Sequence, residues 1–191
     1  MSGIPDVRAP FTSDSAEFPR NVTNAREGGP VTGSPRIVFS TFWSGSDPML
    51  RAWARFRDSV TSGGQSAGLV AEPIDSRAEH PGVWRVLASN NRELARSAGW
   101  YESFASAHAH AIGIRQSVND LDILLVAGAE PATHGWYFTL DGCAVLTCGR
   151  WYGSSALSLE SALAAIDALR VGHVAELAHE IRASRRSARI R

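Results

Sequence analysis

The hydrophobic pattern changes period twice in the middle of the chain, in the same way each time. In GVWRVLASNNRELARSAGWYES, residues 82–103, strand-forming residues flank a polar turn. The spacing then becomes helical, with Phe104, Ala107, Ala111 and Ile114 on one stripe. In HGWYFTLDGCAVLTCGRWYGSS, residues 134–155, the same order leads into Leu159, Leu163, Ile166 and Leu169. A polar pair between strand-forming residues predicts a hairpin, and apolar positions three or four apart predict an amphipathic helix. Trp84 matches Trp136, the turn pair Asn90-Asn91 matches Asp141-Gly142, Leu94 matches Val145, and Trp100-Tyr101 matches Trp151-Tyr152. The offset is 52 residues at the first Trp and 51 afterwards, so one strand has gained or lost a residue. Asp141-Gly142 suits a tight type I′ turn, and Asn90-Asn91 is its weaker counterpart. Ser103 or Ser106 is positioned to cap the first helix, and Ser158 the second.

The flanking segments add elements without clearly adding a third copy. Residues 1–35 hold five of the nine prolines and few apolar residues, which predicts a disordered tail, with Phe11 and Phe18 as its docking candidates. RIVFSTFW, from Arg36 to Trp43, reads as a strand. Asp47-Pro48 starts a helix with Leu50, Trp53, Phe56 and Val60 inward and Arg51, Arg55 and Arg57 on a solvated face. Gly63-Gly64 ends it, and residues 69–74 read as a short strand. LDILLVA, from Leu121 to Ala127, reads as a buried strand. Beyond Gly172, which is placed to break or kink the second repeat helix, Val174, Leu177, Ala178 and Ile181 form a further apolar stripe. The pattern as a whole predicts an α+β fold. Two tandem hairpin–helix repeats, 82–116 and 134–170, form an antiparallel sheet with helices on one face, and an extra strand–helix unit precedes them. One domain then spans 36–181, followed by a basic tail, 182–191.

The hairpin–helix duplication resembles the YegP-like family of small bacterial proteins. The resemblance rests on Trp84, Asn91, Leu94, Ser97 and Tyr101 in the first copy, and on Trp136, Asp141, Gly142, Val145 and Tyr152 in the second. It covers residues 82–170 and departs from the family at Asn91, which stands for the turn Gly, at Cys148, which stands for a Ser, and in the long N-terminal unit. It implies the fold and no reaction.

Charge and chemistry narrow the function classes. Formal net charge is zero, so no bulk electrostatic partner is implied. All 19 basic residues are Arg, a usage consistent with a GC-rich genome or with phosphate and carboxylate recognition. Cys143 and Cys148 lie five apart on one strand, read as facing opposite sides and unbridged, which favours a reducing, cytoplasmic setting. No secretory signal and no membrane span are read from the pattern. The six histidines lack metal-ligand spacing, so no metal and no cofactor is expected; His108 reads as half-buried. No nucleophile elbow occurs, and a phosphate-binding loop needs a Lys this chain lacks.

Two surfaces remain as binding candidates. Successive residues on a strand face opposite ways, so one member of each aromatic pair, Trp100-Tyr101 and Trp151-Tyr152, enters the core while the other faces outward. The outward members are candidate contacts for a protein partner or a second protomer, in a small non-enzymatic binding or assembly module. The alternative is a nucleic-acid-associated protein using Arg182, Arg185, Arg186, Arg189 and Arg191. Residues 1–181 carry 14 Arg against 19 acids, so such binding is expected to be weak.

Overall fold

The computed structural model describes residues 33–62 and 80–181. The expected tail up to residue 32, the strand at 69–74 and the Arg tail lie outside these residues. The elements run β1 (Arg36–Phe42), α1 (Pro48–Thr61), β2 (Gly82–Leu87), β3 (Glu93–Ser97), α2 (Phe104–Gln116), β4 (Asp122–Ala127), β5 (His134–Leu140), β6 (Cys143–Cys148), α3 (Ser155–Val171) and β7 (His173–Ile181). The fold is α+β. The seven strands form a sheet in the order β4-β5-β6-β3-β2-β1-β7, in which the β1–β7 pair is parallel and every other pair antiparallel. The sheet is therefore mixed, because β7 follows a helix that carries the chain back across it. The stripe after Gly172 is a strand and not a helix: Gly172 N donates to Ala168 O at 2.8 Å, and His173 N to Pro35 O at 2.9 Å, which aligns β7 beside β1. LDILLVA is an outer strand, with Leu125 44% exposed, and not a buried one.

The extra residue of the first copy sits in its turn. Asn91 N donates to Ala88 O and Ala88 N to Arg92 O, which closes a three-residue loop with Asn91 at φ 64°. Left-handed backbone at the third position is what such a loop requires, and Asn accepts it. The second copy uses a two-residue loop with Asp141 at φ 52° and Gly142 at φ 78°, both central positions of a type I′ turn. Both hairpins carry a β-bulge at the equivalent place, Leu94 in β3 and Val145 in β6. In both, a bridge ties the strand start to the tyrosine of the corner, Gly82 to Tyr101 and His134 to Tyr152. The second bulge turns Cys143 and Cys148 to the same face instead of opposite ones. The thiols are nonetheless free, with roughly 13 Å of strand between them.

The caps repeat as well. Ser103 Oγ accepts from Ser106 N at 3.1 Å, and Ser154 Oγ from Leu157 N at 3.2 Å. The expected cap Ser158 is instead buried inside α3. In α2 the predicted stripe holds, with Ala107, Ala111 and Ile114 buried and Phe104 edge-on to Phe39. In α3 it does not: Leu159 and Leu163 are 39% and 49% exposed, while Ser158, Ser161, Ala162, Ala165 and Ala168 are buried. This helix crosses five strands, and close approach to a sheet selects small side chains over large ones.

Helices cover both faces, not one. Phe39 packs against α2 and Phe42 against Leu50 and Trp53 of α1; three residues apart on β1, they face opposite sides. Asp47 Oδ1 caps α1 by accepting from Met49 N at 2.8 Å, and Pro48 occupies the first turn. Arg57, expected on a solvated face, is 3% exposed. Its guanidinium donates to Ala98 O at 3.2 Å, meets Asp58 at 2.7 Å and lies over the Trp53 ring. The satisfied donors explain how a guanidinium is tolerated there. No helix among the described residues is long and apolar enough to cross a membrane.

Candidate functional site

On the α1 side of the sheet, beyond the end of the helix cover, lies a cleft of about 170 Å³. Ser40 and Phe42 of β1, Val83 and Arg85 of β2, and Glu93 and Arg96 of β3 form its floor. Met49 and Trp53 of α1 form one wall, and Ile181 of β7 closes an end. The first repeat therefore supplies the charged half and the N-terminal unit most of the apolar half.

The bulge at Leu94 builds the charged half. Arg85 pairs with Arg96 across β2 and β3, and Leu87 pairs with Glu93. Residues three apart on a regular strand face opposite sides, but the extra residue lets Glu93 and Arg96 share one. Two like charges directly opposite destabilise a sheet. Glu93 offsets this: Arg96 reaches Oε1 at 2.5 Å and Arg85 Nη1 reaches Oε2 at 3.5 Å. Arg85 Nη2 also donates to Ser40 Oγ at 3.2 Å. Arg96 stands over the Phe56 ring of α1, so the ion group is held from both sheet and helix. Two donors are left over. Trp53 Nε1 and Arg85 Nε are buried with no hydrogen-bond partner among the described residues.

The predicted corner aromatics are divided by sheet face, as alternation requires, but the face away from the core helices is also covered. All four are half-buried. Trp100 packs with Phe42, Leu50, Trp53 and Val83 under α1. Trp151 meets Phe56 of α1 edge-on, with ring centroids 5.8 Å apart. These two tryptophans buttress α1 and so hold the cleft wall. Tyr101 and Tyr152 face α2 and α3. Tyr101 Oη lies 2.8 Å from His110 Nδ1, and Trp84 Nε1 donates toward both at 3.3 Å. An indole N–H only donates, so His110 is neutral with Nδ1 bare, and the tyrosine donates to it. Burial lowers the His110 pKa from its ordinary value, consistent with that tautomer, and raises the Tyr101 hydroxyl, which stays protonated.

The second repeat keeps only part of this group. Ser161 stands where the first has His110, and Tyr152 Oη bonds its Oγ, leaving Trp136 Nε1 buried without a partner. Tyr152 also borders a second depression, of about 150 Å³, with Arg92, Arg150 and Glu160. His108 is half-buried between Phe39 and Phe104, as its spacing implies. Cys148 is fully buried, which raises its thiol pKa and leaves it a packing residue; Cys143 is half-buried. No cluster of three or more metal-binding side chains occurs among the described residues.

Sequence reasoning missed Arg85, Glu93 and Arg96 because their convergence depends on a bulge and on cross-strand register. The one available signal was their charge at positions of the hairpin whose opposite face is apolar. No protein family, no curated protein and no solved structure matches this chain.

Proposed function

We propose that this chain is a small, non-enzymatic binding module whose contact surface is the α1 side of the repeat sheet, with the cleft beside Trp53 as its centre. The observation that carries this reading is a cleft of about 170 Å³ whose lining joins two guanidiniums, Arg85 and Arg96, and the Glu93 carboxylate to apolar walls at Phe42, Trp53 and Val83. A concave site with apolar walls and a few convergent polar groups is where a small ligand binds. The corner tryptophans act through it, by fixing α1, instead of as outward contacts. The YegP-like resemblance belongs to the same proposal and supplies the repeat scaffold alone.

A panel of chemically diverse small molecules, followed by the indole N–H resonances of the full-length protein, tests the reading. Binders should move the Trp53 signal, and Met49→Trp, at the exposed rim, should block them. Unmoved cleft signals, or equal binding by the plugged variant, would overturn it.

A second reading, self-association, is supported by Leu125, 44% exposed on an outer strand of the sheet. Unpaired sheet edges invite a second copy.

A further inference from the structure

The cleft specifies more than that something binds; its side chains also constrain what. The cationic groups of the lining, Arg85 and Arg96, offer only N–H donors, because a guanidinium cannot accept. A ligand group that meets them is therefore an acceptor. Trp53 is only 6% exposed, so water reaches its face of the cleft poorly. Charge adds a second constraint. The lining side chains include two guanidiniums, Arg85 and Arg96, and one carboxylate, Glu93. One positive charge is left over. A singly charged anion neutralises it, whereas a dianion would reverse it beside Glu93.

The rest of the lining is largely hydrocarbon, with Phe42, Val83 and Ile181 beside Trp53. At about 170 Å³ the space compares with cavities of about 150 Å³ that take a benzene ring. Resting on the reading of the cleft as the binding site, we infer that it binds a monocarboxylate with a compact, ring-sized apolar body. The carboxylate accepts from the Arg85 guanidinium, and the apolar body lies against the lining at Trp53, Phe42 and Val83. Arg85 retains its hold on Ser40, so the guanidinium is oriented before the ligand arrives.

The test uses the full-length protein with three probes that share a phenyl ring: phenylacetate, phenylacetamide and phenyl phosphate. The readout is the Trp53 indole resonance, assigned by its loss in Trp53→Phe. Phenylacetate should move it and saturate, with phenylacetamide and phenyl phosphate each about tenfold weaker or more. Arg85→Gln should weaken phenylacetate by about tenfold, while Glu93→Gln, which removes a negative charge from the lining and keeps the side chain's shape, should tighten it. The gain in the second variant cannot come from misfolding. An amide that binds as well as the acid, or a tighter phosphate, or a weakened Glu93→Gln, would overturn the carboxylate assignment and leave the binding module standing. If none of the three binds while other compounds of the wider panel do, the assignment again falls alone. If nothing at all moves the Trp53 signal, both fall together.

Discussion

A β-carbon on Gly135 would stand 2.7 Å from the indole of Trp151, so the glycine is the seat on which that ring rests. In the first repeat the equivalent position is Val83, which packs beside Trp100 in the small cluster under α1. The two copies thus fill the same corner by opposite means, one with a side chain and one with a ring laid over bare backbone. Gly135→Ala should displace Trp151 and cost about 1–3 kcal/mol, as overpacking does. In a Trp151→Leu background the cost should shrink, a coupling that chemical denaturation of the four variants measures. Additive effects would show that the ring does not depend on the glycine.

Gly172 is constrained differently. Its φ is −65°, which any residue adopts, but a β-carbon would meet Ala168 O at 2.4 Å. Gly172→Ala should therefore destabilise by about 1–3 kcal/mol through the α3–β7 junction. Hydrogen exchange should show β7 amides losing protection before those of β5.

The buried His110 makes stability depend on pH. Burial lowers its folded pKa below the ordinary 6.5. Above that value both states are neutral and nothing changes. Below it the unfolded chain takes up a proton that the folded chain resists, so this contribution falls as pH falls, until the folded pKa is passed. The slope is at most about 1.4 kcal/mol per pH unit for one such group. His110→Gln keeps an acceptor for Tyr101 and should flatten the dependence as pH falls below the ordinary histidine value of about 6.5. An unchanged slope in urea titrations across that range would assign it to other groups.

At the turns, Asn91 and Gly142 hold left-handed backbone, with φ 64° and 78°. Asn91→Ala and Gly142→Ala should each cost about 1 kcal/mol in thermal or chemical unfolding. Asn91→Ala also removes the acceptor for Arg36.

Leu125→Lys should abolish any concentration-dependent self-association while leaving the unfolding midpoint nearly unchanged, because the side chain is 44% exposed on an outer strand. Light scattering at increasing concentration measures it. Association that survives the substitution would place the contact elsewhere.

Most elements were legible in the residues wherever local physics was sufficient. Turn chemistry located both hairpins, the three-or-four spacing found α1 and α2, and Asp47-Pro48 marked a real helix start. The α+β class followed, because hairpins with one apolar face need helices to cover them. Where spacing alone was asked to choose between helix and strand, it failed: Val174, Leu177, Ala178 and Ile181 satisfy a helical stripe, yet pairing with β1 draws them into β7. Leu159 and Leu163 misled in the same way, since which face of α3 is buried depends on how closely it can approach the sheet. The cleft belongs wholly to tertiary structure. Arg85, Glu93 and Arg96 meet only because one residue bulges out of β3, and Trp53 reaches them only because α1 crosses to the face opposite α2 and α3. Register and helix placement are collective outcomes of packing, and no local pattern records them.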